Sequence, residues 1–342
     1  RCWLKCTCSE ASLTPLVAFI MRLLESRSNA NSVLAVCAVC AVASYTTFRV
    51  IMERHRRKTL ASLRGKVLLV TGASQGLGRA LAQVAAAQGA KIMVAARRRE
   101  ALEALAQDIN EKACGDCCVL EYDAGDSSFA NAKYLVDATV QRFGRLDAVL
   151  SNVGVNALWD FDSWLGRSVA ALDDVMKINF LSHEALARAS LPELIESKGY
   201  FTVVSSESGS LVTPGMAAYA ASKAALSIFF LSWHEDLARK GVGMTVVCPG
   251  PIGTGAMRQW IDCAGNAQLK DLRARVNDPG VRSATEVAEQ TLLAMLDKDP
   301  LVYIEPRHLL LCALQPYAPR LTMWFKHFQP ALSRLEVALH MK

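Results

Sequence analysis

From Lys66 onward, short apolar runs rich in β-branched residues alternate with stretches whose apolar residues recur at helical spacing. The runs are KVLLVTG, KIMVAA, CVLEYD, LDAVLSN, YFTVVSS, GMTVVCP and LVYIEP. Strands that alternate with helices form a mostly parallel sheet with helices on both faces, which agrees with the continuous apolar character of these runs. Because crossovers between parallel strands are right-handed, the pattern predicts a doubly wound, Rossmann-type α/β fold.

The helical stretches separate these runs along the chain. We predict helices at Gly76 to Gln88, Glu100 to Lys112, Ala132 to Phe143, Asp173 to Ala189, Ala218 to Lys240 and Thr285 to Leu296. No low-complexity linker or internal repeat interrupts the alternation, so we expect a single Rossmann-type domain over residues 65–306.

The composition excludes several other classes of protein. Of the 342 residues, 52% are hydrophobic and 20% are charged, which excludes general disorder. The net charge of +6 comes largely from local clusters, with no long basic face and no base-stacking aromatic pattern, so we expect no nucleic acid partner. The 11 cysteines are odd in number; Cys37 and Cys40 have C-x-x-C spacing, but no second Cys or His pair lies at zinc-ligand spacing, which predicts reduced thiols and no metal site.

An uncharged stretch from Ser28 to Phe48 is long enough to span a bilayer, since about 20 residues suffice for a helix. Basic residues follow at once, at Arg49 and in the cluster Arg54, Arg56, Arg57 and Lys58. The positive-inside rule then predicts that the C-terminal side of the stretch lies in the cytosol. An interfacial helix or a cleaved targeting segment is the alternative.

These features divide the chain into four parts. Residues 1–27 form a leader from which no function is predicted, and residues 28–58 form a membrane anchor with its basic flank. The Rossmann-type domain follows, and residues 307–342 form an apolar C-terminal extension. Because Pro316 and Pro319 interrupt that extension, it predicts a helical flap or interfacial segment, with core packing as the alternative.

A glycine-rich turn joins the first predicted strand to the first helix. Glycines there permit a tight turn and let backbone amides approach a pyrophosphate, which the positive end of the helix also favours. An ordinary βα turn is the alternative. The residues predicted to contact a dinucleotide are Gly72, Ser74, Gln75, Gly76, Leu77 and Gly78.

The end of the second predicted strand indicates which dinucleotide binds. A site for NAD usually places an acidic residue here, whereas this chain has Ala96 followed by Arg97 and Arg98. Arginine can bind the 2′-phosphate of NADP(H), and Ser74 is placed to assist. A solvated basic turn is the alternative.

Tyr219 and Lys223 lie four residues apart and share one face of a predicted helix. A free tyrosine has a pKa of about 10, and a nearby ammonium favours the phenolate, so the pair suits proton exchange with a carbonyl or alcohol. Ser206 ends the fifth strand 13 residues earlier and could polarise a substrate oxygen, although Ser205 and Ser208 are alternatives. Asn179 interrupts a helical pattern, which favours a functional or kink-forming role.

The segments TGASQGLG, SSESG, YAASK and CPGPIGT, together with Asn179, resemble the short-chain dehydrogenase/reductase family in content and order. The resemblance implies a catalytic tetrad of Asn179, Ser206, Tyr219 and Lys223. It also implies cofactor contacts from Asp123, Asn152, Pro249, Gly250, Ile252 and Thr254. The segment Ser151-Asn152-Val153-Gly154 departs from the usual Asn-Asn-Ala-Gly, but it keeps the second asparagine.

Within that family, the anchor, the VAARR segment and the stretch EPRHLLLCALQPYAPRLTMWF resemble dehydrogenase/reductase member 7 and its relatives. Those are microsomal enzymes, so the resemblance implies a protein of the endoplasmic reticulum membrane with a steroid, retinoid or other lipophilic carbonyl substrate. Family members commonly form dimers through their long helices, which makes a homodimer a further expectation. The alternatives are a 3-ketosphinganine-type reductase of lipid synthesis and a non-catalytic NADP(H)-binding membrane protein.

Overall fold

The computed structural model describes residues 53, 56–112, 116–159, 161–165, 170–253, 257–261, 267–271, 281–305, 311–318 and 322. The chain divides into two compact units, Arg1–Lys58 and Thr59–Lys342. The predicted membrane span, Thr254 and the leader lie outside the described residues, as does most of the C-terminal extension. In the part of the chain that is described, no helix is both long and apolar enough to cross a membrane.

The described strands are β1 (Val67–Thr71), β2 (Lys91–Ala96), β3 (Asp116–Glu121), β4 (Ala148–Ser151), β5 (Asn156–Ala157), β6 (Tyr200–Val204), β7 (Gly243–Cys248), β8 (Ile252–Gly253), β9 (Met257–Ile261), β10 (Ala267–Asp271), β11 (Arg282–Ser283) and β12 (Leu301–Tyr303). The described α-helices are α1 (Gly76–Ala87), α2 (Arg99–Lys112), α3 (Phe129–Phe143), α4 (Phe161–Leu165), α5 (Ala170–Met176), α6 (Ser182–Ser197), α7 (Ala217–Ser232), α8 (His234–Arg239) and α9 (Ala284–Asp297).

The main sheet has seven strands in the order β12-β7-β6-β4-β1-β2-β3, and every neighbouring pair is parallel. The chain runs outward from β1 to β3 and then returns to β4 on the other side of β1. This reversal creates a crevice at the carboxyl ends of β1 and β4, where doubly wound sheets bind ligands. The predicted doubly wound α/β fold is confirmed.

Side chains from each buried strand supply two cores, one on each face of the sheet. On β1, Leu68 and Val70 belong to one apolar cluster and Leu69 to the other, because successive strand side chains point to opposite faces. Leu81 of α1 packs in the first cluster, and Phe230 of α7 packs in the second. Full burial of such side chains stabilises the fold by about 1.5–3 kcal/mol each.

Two helices differ from the prediction in ways that matter for the site. The predicted helix over residues 218–240 is interrupted at Trp233, which separates α7 from α8. The predicted helix over residues 173–189 contains a π-helical turn, Lys177–Leu181, between α5 and α6. Asn179 lies in this turn and its side chain bonds to the backbone of Val155, an interaction that a periodicity analysis does not detect.

A second, smaller sheet lies beside the main one. Strand β9 pairs antiparallel with β10 and parallel with β5, with Asn156 opposite Trp260. Strands β8 and β11 pair in parallel and bring the two ends of the segment between them together. The segment that connects β8 to β11 therefore starts and ends close to the end of β7.

Candidate active site

A cleft of about 590 Å³ opens at the carboxyl ends of the parallel strands. It is lined by residues that follow β1, β2, β3, β4, β6 and β7. The predicted site residues in this lining are Gly72, Ser74, Gln75, Gly76, Leu77, Arg97, Arg98, Asp123, Asn152, Ser206, Tyr219, Lys223, Pro249, Gly250 and Ile252. Gly78 and Asn179 lie behind the lining, so the fold brings together residues separated by up to 180 positions.

The glycine turn is closely packed under one end of the cleft. Gly72 has a φ of +67°, which favours glycine. A Cβ on Gly78 would lie 2.4 Å from the Gly72 carbonyl oxygen and 2.6 Å from Asn152 Nδ2, so only glycine fits where α1 crosses the turn. The Gln75 side chain does not cap α1, whose positive end faces the cleft.

Two arginines and their partners lie at the same end. The guanidinium of Arg98 donates from Nη2 to Ser74 Oγ over 3.0 Å, which joins the end of β2 to the glycine turn. Arg97 Nε lies 4.0 Å from Asp123 Oδ1, and Asp123 also accepts the Gly125 backbone N–H over 3.0 Å. Both arginines follow β2, and Asp123 offsets the charge of one of them, so this end of the cleft is positively charged.

Asn152 links the carboxyl ends of β1 and β4 by hydrogen bonds. Its backbone N–H donates to Thr71 Oγ1 over 3.1 Å, and its Nδ2 lies 3.3 Å from the Thr71 oxygen and 3.5 Å from the Gly72 oxygen. Asn152 thus holds the glycine turn against the end of β4. Thr71 was not predicted as a site residue, because a buried strand threonine gives no signal in the sequence.

Tyr219 and Lys223 lie in the first two turns of α7, and both are almost fully buried against the cleft. Lys223 Nζ donates to the Val204 carbonyl oxygen over 2.8 Å, which fixes the ammonium at the end of β6. Ser206 Oγ accepts the Ser208 backbone N–H over 3.2 Å at the start of a short 3₁₀ turn. The phenol, the ammonium and the Ser206 hydroxyl therefore share one wall of the cleft.

The two neighbouring serines are placed differently from Ser206. Ser205 also lines the cleft, but its hydroxyl bonds to the Lys223 carbonyl oxygen over 3.0 Å and lies 2.7 Å from Ser227 Oγ. Ser208 is not part of the lining. Ser205 therefore holds β6 against α7, and Ser206 is the better placed hydroxyl.

Asn179 lies beside Lys223 and is fully buried. Its Oδ1 accepts the Val155 N–H over 2.8 Å, and its Nδ2 donates to the Val155 oxygen over 2.9 Å and to Ser222 Oγ over 3.0 Å. A Cβ on Gly154 would lie 3.5 Å from both Asn179 Oδ1 and Lys223 Nζ, so both groups border the same side of Gly154. Asn179 thus ties the π-helical turn, the chain after β4 and α7 together.

Beyond β7, the cleft is bounded by Pro249, Gly250 and Ile252. The Gly250 N–H donates to Glu305 Oε2 over 3.2 Å, and Glu305 Oε1 lies 3.5 Å from Arg282 Nε. Glu305 is buried at the end of β12, where the sequence indicated only a strand end. Its carboxylate holds this loop in place.

His183 is a buried residue of the site that the sequence did not indicate. Its Nε2 lies 2.9 Å from the Val153 carbonyl oxygen and must carry the proton, so Nδ1 accepts the Ser151 hydroxyl over 2.7 Å. Burial, with a smaller contribution from the charge of Lys223, lowers the pKa of His183 to about 3. A neutral imidazole therefore fixes the segment that departs from the family pattern.

Comparison with known proteins shows what this arrangement is similar to. A family model described as short chain dehydrogenase matches residues 66–263. An 11-beta-hydroxysteroid dehydrogenase A of Sesamum indicum is 35% identical over 188 residues, which cover 55% of this chain and 53% of that relative. The chain therefore matches about half the length of the sesame protein.

A relative that is covered more completely is dehydrogenase/reductase SDR family member 7B of Mus musculus. It is 31% identical over 256 residues, which cover 73% of this chain and 76% of the mouse protein. Among solved structures, a short chain dehydrogenase/reductase from Burkholderia phymatum in complex with NAD has a TM-score of 0.64 and 24% identity, covering 76% of this chain and 95% of that one. At that identity, the structural likeness concerns the fold alone.

Proposed function

Because this chain belongs to the short-chain dehydrogenase family, we propose that it is an NADP(H)-dependent oxidoreductase that interconverts a lipophilic carbonyl compound and its alcohol. The observation that carries the proposal is a single cleft with a glycine turn and an Arg98–Ser74 pair at one end and Tyr219, Lys223 and Ser206 on its wall.

The choice of NADP(H) rests on the two strand ends beside the glycine turn. Gly72 and Gly78 let the turn pack closely against α1 and Asn152, which presents the start of α1 to a pyrophosphate. Arg98 Nη2 and Ser74 Oγ lie 3.0 Å apart and offer a guanidinium and a hydroxyl to a 2′-phosphate. Among the described residues of the lining, Asp123 is the one carboxylate; it is paired with Arg97 and suits an adenine contact.

The chemistry requires a hydride and a proton. NADP(H) supplies or accepts the hydride when bound. Tyr219 gives a proton to the carbonyl oxygen in reduction and takes it back in oxidation, and the Ser206 hydroxyl donates a hydrogen bond to the same oxygen. The Lys223 ammonium, which the Val204 oxygen holds and which borders Gly154 as Asn179 does, favours the phenolate form of Tyr219. Asn152, Pro249, Gly250, Ile252 and Thr254 complete the proposed contacts to the cofactor.

A lipophilic substrate is supported by the apolar surface that follows β5. Leu158, Phe161 and Trp164 are 44%, 69% and 52% exposed, and the segment is fixed because the Trp159 N–H donates to the Gly215 oxygen over 2.8 Å. Exposed apolar side chains grouped in this way mark surfaces that bind apolar ligands, membranes or partner proteins. The relatives named as hydroxysteroid dehydrogenases agree with such a substrate.

The proposal includes a location. The uncharged stretch Ser28 to Phe48 and the basic cluster after it suit attachment to the endoplasmic reticulum membrane with the catalytic domain in the cytosol. Alkaline extraction of membranes tests the attachment of the full chain, and protease protection tests its orientation. We also propose that the chain forms a homodimer.

The enzymatic proposal is tested with the full chain in detergent, by following NADPH oxidation with a panel of steroid, retinoid and long-chain carbonyl compounds. Tyr219→Phe should bind NADPH but lower kcat by about 10²–10⁴-fold, the usual contribution of a general acid. Tyr134→Phe is the matched control, since Tyr134 is 58% exposed on α3. Tight NADPH binding without turnover by the unmodified chain would instead support the non-catalytic alternative.

A further inference from the structure

Asn156 differs from the other asparagines that the structure describes. The side chains of Asn110, Asn131, Asn152 and Asn179 all form hydrogen bonds within the protein. Asn156 is only 8% exposed, and its side chain forms no hydrogen bond with another residue that the structure describes. Its amide atoms are not among the described side-chain atoms that are both fully buried and without a partner, so they keep accessible surface and are open to a ligand.

Asn156 is part of the lining of the cleft. Its neighbours Val155 and Ala157 pack in an apolar cluster with Tyr219. Successive side chains of a strand point to opposite sides, so Asn156 points away from that cluster. The amide therefore faces the space in which a ligand of the cleft would lie.

The backbone around Asn156 is fixed on both sides. Asn179 bonds to both the N–H and the oxygen of Val155, and Asn156 pairs with Trp260 of strand β9. The same short segment passes Lys223 at Gly154, before it reaches Asn156. Asn156 thus lies between Gly154, which borders Lys223, and strand β9, beyond the contacts that Asn152 makes with the glycine turn.

We propose that Asn156 binds a second oxygen of the substrate, a hydroxyl or carbonyl close to the reacting carbonyl. The inference rests on the proposed function and narrows its substrate class to lipophilic carbonyl compounds with two oxygens near each other. An amide suits this task because Nδ2 donates to a carbonyl oxygen and Oδ1 accepts from a hydroxyl. A substrate without the second oxygen leaves the amide unsatisfied, which is how a polar site discriminates against it.

Three diaryl probes test this inference with the full chain. Deoxybenzoin has one carbonyl, benzoin adds a neighbouring hydroxyl and benzil adds a neighbouring carbonyl. The unmodified chain should reduce benzoin and benzil with a higher kcat/KM than deoxybenzoin. Two ratios are compared, kcat/KM for benzoin over deoxybenzoin and kcat/KM for benzil over deoxybenzoin. Asn156→Leu, which keeps the size of the side chain, should lower both ratios about tenfold or more, as expected for the loss of a buried hydrogen bond.

Asn156→Asp separates the two functions of the amide. A carboxylate only accepts hydrogen bonds, so this variant should keep much of the preference for benzoin and lose the preference for benzil. Trp164→Leu is the control on the exposed surface after β5, and it should change kcat/KM for the three probes by the same factor. NADPH titration of each variant reports whether the fold and the cofactor site are intact.

The outcomes separate this inference from the proposal on which it rests. If the unmodified chain reduces deoxybenzoin and neither Asn156 variant changes the two kcat/KM ratios, the role of Asn156 is overturned and the proposed function stands. A loss of NADPH affinity in both variants assigns Asn156 to the cofactor and also overturns it. Failure of the unmodified chain to reduce any of the three probes counts against the proposed function and this inference together.

Discussion

The Ser151 hydroxyl lies 2.7 Å from Nδ1 of His183, and this buried hydrogen bond joins the end of β4 to the first turn of α6. The other ring nitrogen bonds to the Val153 oxygen, so one imidazole holds both sides of Asn152. Asn152 in turn contacts Thr71 and Gly72. The position of the glycine turn therefore depends on a neutral histidine that does not line the cleft.

Protonation of His183 should destabilise the fold. Its pKa is lowered from an ordinary value of 6.5 to about 3, so between these values the unfolded chain binds a proton that the folded chain does not. The contribution is complete above pH 6.5 and is lost as the pH falls toward 3, with a slope approaching about 1.4 kcal/mol per pH unit. Urea unfolding at several pH values should show this slope, and His183→Gln should reduce it. An unchanged slope in the variant would assign the acid sensitivity to other groups.

Arg98→Ala should weaken NADPH binding and spare NADH. The guanidinium lies 3.0 Å from Ser74 Oγ, and loss of a charge-assisted bond to phosphate corresponds to about 1.5–3 kcal/mol, or a Kd for NADPH that rises about 10- to 100-fold. Fluorescence titration with both cofactors measures the change. Arg239→Ala, at the exposed end of α8, should leave both Kd values unchanged. Equal losses for the two cofactors would argue against a 2′-phosphate contact.

Gly78→Ala should disrupt the glycine turn. The new methyl group would lie 2.4 Å from the Gly72 oxygen, which is backbone and cannot move without shifting the turn. We expect NADPH affinity to fall at least about tenfold, since a shift of the amides removes bonds to the pyrophosphate. Gly144→Ala is the control, because a Cβ there meets no atom within 4 Å and only its φ of +80° is strained. That variant should lose about 1–2 kcal/mol of stability and bind NADPH normally.

Asp147→Ala should destabilise the fold at the amino ends of β1 and β4, away from the cleft. Asp147 is buried where β4 begins, and its carboxylate accepts the Val67 N–H over 2.9 Å and the Arg145 guanidinium over 2.6 Å. Without it, a buried donor loses its partner, at a cost of about 1–3 kcal/mol in the free energy of unfolding. Arg145→Ala removes only a half-exposed partner and should cost less than about 1 kcal/mol. Urea denaturation of both variants compares the two, and an equal loss would place the effect in the ion pair.

Most of the fold could be predicted from local patterns. The run KIMVAA became β2 over Lys91–Ala96, as predicted, because a buried parallel strand is apolar on both faces and appears as a continuous run. The π-helical turn at Asn179 and the interruption at Trp233 could not be predicted in this way. Both depend on contacts with residues far along the chain, and helical periodicity averages over a single extra or displaced residue.

The sequence by itself determined the order in which strands and helices follow one another along the chain. It also determined the glycine turn and the spacing that puts Tyr219 and Lys223 on one face of α7. Only the tertiary structure decided that Arg98 reaches Ser74, that His183 holds the segment around Asn152, and that Asn156 lines the cleft without a side-chain hydrogen bond to another described residue. The physical reason is the range of the interactions. Periodicity and turn chemistry act over a few residues, whereas hydrogen bonds and burial at a sheet edge depend on which distant strand ends the crossovers bring together.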